Sequence, residues 1–279
     1  MKKKVIITTI IIIILLGYYL YFQNTELQVS SYDIVDSRIP KKFNKYKIVQ
    51  VSDFHNTKSN KLINDLVKEI KKQKPNVIVI TGDLVDSRKT DIDVSINFIK
   101  RIKDIAPIYF ITGNHEASIS EYENLKVKLE KESVIILDNK TKVLEVADSK
   151  INLIGVNDPS MSYHPEVTDS EKIKSELTES NYDKNSYSIL LSHRPELFNT
   201  YVDNEIDLVL TGHAHGGQIG IPFIGGLVAP NQGLFPEYTS GTFKEENTSM
   251  IISRGIGNSI IPFRINNRPE LVIVELKNK

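Results

Sequence analysis

The sequence predicts an α/β fold, with mixed central β-sheets flanked by helices, carried behind one N-terminal transmembrane helix. Three observations lead there. Five short β-branched or aliphatic runs each end in a cluster of chemically reactive residues, as buried strands do when their carboxyl ends form one rim. Stretches with apolar residues at helical spacing separate several of these runs, so successive strands are joined by right-handed crossovers and lie parallel. Residues 5–22 are interrupted only by Thr8, Thr9 and Gly17. At 1.5 Å per residue they span about 27 Å, close to the thickness of a hydrocarbon core.

The chain divides into an anchor (1–23), a linker with an opening strand (24–45) and one large domain (46–279). Lys2, Lys3 and Lys4 on one flank of the apolar run, against Gln23, Asn24, Thr25 and Glu26 on the other, put the amino terminus in the cytoplasm and the body outside. Tyr18, Tyr19 and Tyr21 then sit at the outer interface. A cleaved signal peptide is the alternative. It would have a shorter apolar region and a small-residue cleavage site, whereas the first alanine of this chain is Ala106. A buried core helix would show a polar face, and none appears.

The opening strand is expected over 27–35, followed by Arg38-Ile39-Pro40 and a strand from Tyr46 to Ser52. Polar residues over 23–42 would give the anchor its reach. Leu62, Ile63, Leu66, Val67 and Ile70 mark one face of a helix that Ser59 or Asn60 can cap. Val77-Ile78-Val79-Ile80-Thr81 is the next strand, and Ile92, Ile96, Ile99 and Ile102 mark the next helix. Ile108-Tyr109-Phe110-Ile111-Thr112 is a third strand of the same kind. Val143-Leu144-Glu145-Val146 and Ile151-Asn152-Leu153-Ile154, broken by Asp148-Ser149-Lys150, read as a hairpin and make the sheet mixed. The polar stretch 158–184 is expected to cover the site as a loop plus a helix around 170–180. Tyr187-Ser188-Ile189-Leu190-Leu191 and Asp207-Leu208-Val209-Leu210-Thr211 complete the strands that end in reactive clusters.

Composition narrows the function. Without the first 23 residues, about 256 of the 279 remain, enough for one large α/β domain. Removing Lys2, Lys3 and Lys4 from the 35 basic residues leaves 32 against 35 acidic ones, a net of about −3. That balance lacks the basic face a nucleic-acid partner needs. The chain has no cysteine, which excludes disulfides, thiolate metal sites and a lipid-modified N-terminal cysteine. Oligomeric state is left open.

Five of the six histidines fall in the clusters: Asp53-Phe54-His55, Gly82-Asp83-Leu84-Val85-Asp86, Gly113-Asn114-His115-Glu116, Ser192-His193 and Gly212-His213-Ala214-His215. Imidazole and carboxylate hold divalent transition metals, and a carboxylate can bridge two ions where an imidazole cannot. One Asp-x-His after a strand would be read as a turn with a satisfied histidine. Five clusters in order, each behind a strand, point to a two-metal hydrolase. His164, in Ser162-Tyr163-His164-Pro165, has no such setting and reads as a loop histidine.

From about Lys47 to the end, these clusters resemble the calcineurin-like metallophosphoesterase pattern of Asp-x-His, Gly-Asp-x-x-Asp, Gly-Asn-His-Asp/Glu, His and Gly-His-x-His. Gly216-Gly217-Gln218, Ala229-Pro230-Asn231-Gln232-Gly233, Ser240-Gly241, Ser253-Arg254-Gly255-Ile256-Gly257, Pro262-Phe263-Arg264 and Arg268-Pro269-Glu270 are similar to its membrane-associated bacterial branch. The resemblance implies that family's sandwich fold and a catalytic domain over 46–279. It implies two divalent ions, Mn, Zn or Fe, with Asp53, His55 and His215 on one, Asn114, His193 and His213 on the other, and Asp83 bridging. His115 matches the family's acid at the leaving oxygen, and Asp86 is placed to orient it by accepting from its ring N–H.

The implied activity is hydrolysis of a phosphodiester, pyrophosphate or phospholipid-type substrate by metal-activated hydroxide, at the outer face of the cell membrane. Within enzymes, a UDP-diacylglucosamine-type pyrophosphatase is the alternative. A non-catalytic metal or phospho-ligand binder would not need His115 and Asp86, and an amidase or β-lactamase-like enzyme would show His-x-His-x-Asp-His clustering. Arg194, directly after His193, departs from the ligand pattern and bears on substrate preference. Arg254, Arg264 and Arg268 are either phosphate contacts or ion-pair partners of sheet-end carboxylates.

Overall fold

A computed structural model describes residues 2–259, 261 and 263–279; Met1 of the expected anchor, Ile260, and Pro262 of the Pro262-Phe263-Arg264 run lie outside the described residues. Helix α1 (Lys2–Thr25) is long and apolar enough to cross a membrane, and its apolar side chains face outward. Only Glu26 and Leu27 separate it from β1 (Gln28–Asp36). The segment 24–45 is therefore no loose tether: it holds the helix end, an edge strand and a short turn. The reach expected from residues 23–42 is absent because β1 pairs along its whole length with the last strand of the chain.

The remaining strands form two six-stranded mixed sheets. The first contains β2 (Tyr46–Val51), β3 (Val77–Thr81), β4 (Ile108–Ile111) and β5 (Ile135–Ile136), all parallel neighbours. The second contains β6 (Lys140–Val146), β7 (Ser149–Gly155), β8 (Ser188–Leu191) and β9 (Leu208–Thr211). β6 and β7 are the expected antiparallel hairpin, whereas β7, β8 and β9 run parallel. Two small hairpins follow, β10 (Gly220–Ile221) with β11 (Gly225–Gly226) and β12 (Val228–Ala229) with β13 (Gly233–Leu234). β14 (Gly241–Glu245) and β15 (Thr248–Ile252) extend the second sheet beside β9. β16 (Glu270–Asn278) crosses back to lie between β1 and β2.

Alternate burial on the strands explains the layering. Ile48, Val79 and Tyr109 of the first sheet meet Leu153, Ile189 and Leu208 of the second in one apolar core. Val49, Val51, Ile78 and Ile80 point the other way, onto α2 (Asn60–Gln73), α3 (Ile92–Ile102) and the helix that follows the short α4 (Asn114–Ala117), namely α5 (Tyr122–Lys131). Ser59 caps α2 by accepting from the Leu62 N–H, and Asp91 does the same for α3 through Val94. Phe54 stacks on Phe98 with centroids 4.6 Å apart, tying the turn after β2 to α3.

On the outer face of the second sheet, α6 (Asp169–Glu179) and α7 (Phe198–Asp203) bury Ile173, Leu177, Phe198 and Tyr201 against Ile154, Leu190 and Val209. The helix expected around 170–180 thus forms, with a Thr168–Glu171 capping box. It lies in an outer layer instead of over the site, because Ile173 and Leu177 need an apolar face to cover.

Candidate metal centre

The carboxyl ends of β2, β3 and β4 from one sheet and of β8 and β9 from the other converge. Beyond them the chain turns abruptly: Asp53, His55, Asp83, His213 and His215 have φ of 51°, 47°, 52°, 65° and 48°. Left-handed backbone costs a non-glycine residue roughly 1–2 kcal/mol, and such residues gather where a site dictates geometry. Cross-bracing holds them there. Asp53 N–H donates to Gly82 O and His55 N–H to Asp83 O, each at 3.1 Å. Glu116, fully buried, accepts from the N–H groups of Asp83, Gly113 and Val85 at 2.8, 2.8 and 3.1 Å. Gly113 is required because a Cβ there would strike the Asp83 carboxylate.

Eight of the nine site residues expected from the sequence come together by measured contacts, and Asn114 follows Gly113 beside them. His55 Nε2 lies 3.1 Å from His215 Nε2, 3.6 Å from Asp83 Oδ2 and 3.9 Å from Asp53 Oδ1, and His215 Nε2 is 3.2 Å from Asp53 Oδ1. His193 Nε2 lies 3.3 Å from the same Asp83 Oδ2 and 3.2 Å from His213 Nδ1. Asp83 Oδ1 accepts from the His115 N–H at 2.8 Å, which leaves Oδ2 common to both groups. Among the described residues three cation-sized groups result: Asp53, His55, Asp83 and His215; Asp83, His193 and His213; and, beside them, His55, Asp86 and His115.

The donor chemistry fits divalent ions. Asn114 Oδ1 is buried without a hydrogen-bond partner, as a ligand oxygen would be before it is filled. His193 Nδ1 donates to Thr81 O at 2.7 Å, so Nε2 is the ring nitrogen that faces Asp83 and His213. Burial opposes charge on His193, but Asp83 outweighs it and pushes the ring up to about 10. Asp83 is correspondingly held well below the carboxylate range, burial notwithstanding, chiefly by His193. Burial pushes His55 down to about 3, drives His213 and His215 well below the usual histidine range, and lifts Asp53 to about 6. His55, His213 and His215 are thus in the neutral form that ligates metal, whereas His193 would give up its Nε2 proton to an ion.

His115 packs edge-on against His55 with centroids 4.5 Å apart, and its Nε2 lies 3.9 Å from Asp83 Oδ2. The hydrogen bond expected from its ring N–H to Asp86 is not what forms. The Ser87 N–H points at His115 Nδ1 from 2.9 Å, with Ser87 Oγ at 3.0 Å, while Asp86 Oδ1 stands 3.5 Å away. Asp86 is engaged by Arg88, through Nε and Nη2 at 2.9 Å each. An Nδ1 that accepts leaves the neutral ring's proton on Nε2.

Two arginines that the sequence singled out take other roles than those expected there. Arg194 donates to Asp158 at 2.5 and 2.8 Å, and its Nη1 lies 3.3 Å from His213 Nε2. Burial works against charge on Asp158, yet Arg194 holds its carboxyl below the usual range. On the other side, buried Arg264 donates to the carbonyls of Arg254 and Gly257 and reaches within 3.5 Å of His215 Nδ1. Asn267 Nδ2 donates to His215 O at 2.6 Å, and the Asn267 N–H donates to Gln23 Oε1 at 3.2 Å. Asn24 and Arg264 exchange hydrogen bonds of 2.9 and 3.3 Å, so the end of α1 is part of the rim. Arg254 pairs with Glu270 at 3.0 Å, the ion-pair alternative, and Arg268 donates to Gln28 and lies over the Phe22 ring. His164 stays exposed in its loop.

A cleft of about 530 Å³ opens beside the ligands, lined by His55, Asp86, Lys58, Arg88 and Lys89 and also by Asn24 of α1. Its basic side chains suit an anionic substrate.

Residues 46–217 match the sequence description of the calcineurin-like phosphoesterases. The uncharacterized metallophosphoesterase YkuE of Bacillus subtilis is 29% identical over 267 residues, covering 94% of this chain and 90% of its own. Phosphodiesterase YaeI of Escherichia coli is 27% identical over 241 residues, 83% of this chain and 82% of its own. A Danio rerio transmembrane protein with metallophosphoesterase domain is 27% identical over 262 residues, which cover 90% of this chain and 57% of that protein.

Proposed function

The chain belongs to the calcineurin-like phosphoesterase family, a family of metal-dependent phosphoric ester hydrolases, and from that premise we propose a membrane-anchored enzyme whose substrate is lipid-borne. It cleaves a phosphodiester or pyrophosphate link in the headgroup at the outer membrane face. The observation that carries this reading is the cleft, whose lining includes both His55 and Asp86 of the site and Asn24 at the end of the apolar helix. A soluble ester needs no such junction.

Asp53, His55 and His215 would hold one ion and Asn114, His193 and His213 the other, with Asp83 shared. Such ions supply positive charge to the phosphoryl oxygens and lower the pKa of an attacking water. His115 presents the Nε2 proton to the leaving oxygen, and Ser87 fixes the ring face that does so. Asp86 contributes negative charge 3.5 Å from Nδ1, which favours the ring when it is charged. Lys58, Arg88 and Lys89 draw the anionic headgroup into the cleft.

The test compares two substrates with the full chain in phospholipid vesicles: bis(4-nitrophenyl) phosphate in the buffer, and a phosphodiester or pyrophosphate headgroup carried by a lipid in the same membrane. Chelator should abolish both activities and manganese restore them, with the lipid substrate turned over faster. Manganese-restored hydrolysis of the soluble ester with no cleavage of any vesicle-borne headgroup would overturn the lipid assignment and leave the hydrolase intact.

A further inference from the structure

The two small hairpins after the metal ligands carry apolar side chains that no described residue covers. Phe223 is fully exposed, and Ile224, Leu234 and Phe235 are 64%, 69% and 60% exposed. Residues 216–236 also hold no Asp, Glu, Lys or Arg, in a chain that is 25% charged. Apolar surface without charge is the composition of a segment that leaves water.

Its position says where it goes. At the base of the β10–β11 hairpin, Asn266 Nδ2 donates to Gly220 O at 3.1 Å, and Asn266 Oδ1 accepts from Tyr19 OH at 2.6 Å. Tyr19 lies within the apolar run 5–22 and before Thr25, the last residue of α1, so the joint is about 9 Å back along the helix axis. A body that meets the helix at that level has this edge among the lipid headgroups, where Tyr18, Tyr19 and Tyr21 also belong.

We infer that Phe223 and Ile224, with Leu234 and Phe235, form a second membrane contact that dips into the leaflet from which α1 emerges. The occupant is the lipid surface itself, because Asn266 joins the base of the Phe223 hairpin to α1, among the described residues the one helix apolar enough to cross a bilayer. Insertion is shallow, at the boundary of headgroups and acyl chains, since the hairpin backbone is not closed as a helix or barrel is. Helix and hairpin together fix two points on the membrane and remove rotation of the body about the helix axis.

The chain has no tryptophan, so single substitutions in the full protein report depth directly. In phosphatidylcholine–phosphatidylglycerol vesicles with brominated acyl chains, Phe223→Trp should emit to the blue and be quenched at least twofold more than Val35→Trp. Val35 is exposed at the far end of β1 and serves as the water reference. Ile12→Trp, in the middle of α1, reads helix insertion independently. Quenching at Ile12→Trp with Phe223→Trp behaving like Val35→Trp would overturn the hairpin contact. Absence of quenching at both would overturn the contact together with the anchor. Neither readout depends on catalysis.

Discussion

The two ligand groups of the centre offer similar donors but rest on different parts of the molecule. Asp53, His55 and His215 lie against the C-terminal strap, where Arg264 and Asn267 hold the His215 turn and are themselves held by Asn24 and Gln23 of α1. Asn114, His193 and His213 lie against the body of the domain, through Thr81 and the buried Arg194–Asp158 pair. The difference teaches that one ligand group is braced directly by the end of α1, while the other is linked to it through the Asp53 carboxylate, which accepts from the His213 N–H at 3.1 and 3.2 Å. Asp83 Oδ2 alone belongs to both.

Asp83→Ala should therefore erase the distinction. Both ions and all turnover above background are lost together, as elemental analysis and a diester assay would read. Retention of two ions would break the bridging assignment. His115→Asn comes next: it should leave both ions in place yet lower kcat about 10²- to 10⁴-fold, with a smaller loss for leaving groups that need no proton. An equal loss for good and poor leaving groups would remove the acid role.

The next two substitutions separate the halves. Asp158→Asn unpairs Arg194 beside His213 and should weaken the ion on that side about 10- to 100-fold, by metal titration, without moving the other. Gln23→Ala removes the acceptor of the Asn267 N–H and should weaken the ion at His215 about 2- to 10-fold, the worth of one hydrogen bond. If Gln23→Ala and Asp158→Asn weaken the same ion, the comparison fails.

Glu176 on α6 touches neither half and gives the smallest effect. Burial, then the charge of Asp158, pushes its carboxyl up to about 8 from 4.5. The folded chain thus holds this proton more tightly than the unfolded chain. Its stabilising effect is full below about 4.5, declines as pH rises, and is lost through about 8. Glu176→Gln should raise Tm at pH 8 by about 2–4 °C, the shift that about 1 kcal/mol gives a domain of this size, and leave Tm at pH 4 nearly unchanged.

Local pattern carried the reading of the rim. Each ligand directly follows an apolar strand, so Asp53, Asp83, Asn114, His193 and His213 could be placed from neighbouring residues alone. Pairings across the fold could not. Asp158 meets Arg194 from 36 residues away, and Gln23 meets Asn267 from 244, and neither separation leaves a periodicity to detect. Division of the strands between two sheets was implied by the family resemblance and not by any run, since a buried strand reads the same in either sheet. His115 shows a subtler limit. Spacing singled out Asp86, whereas the backbone turn delivers the next residue's N–H to the ring. Arg88, which takes up the Asp86 carboxylate, lies two residues beyond it, at a position that no strand-end spacing marks.

The two residues between α1 and β1 change how substrate supply is counted. An enzyme on a long leash samples a volume, and its rate follows the concentration of vesicles in the tube. On the membrane-anchored, lipid-substrate reading proposed above, one whose catalytic rim is joined to its helix at Tyr19, Gln23 and Asn24 travels as a raft in two dimensions. Its velocity follows the mole fraction of substrate among its lipid neighbours. Adding inert lipid to the same bilayer slows such an enzyme, while adding buffer around the vesicle leaves it unchanged.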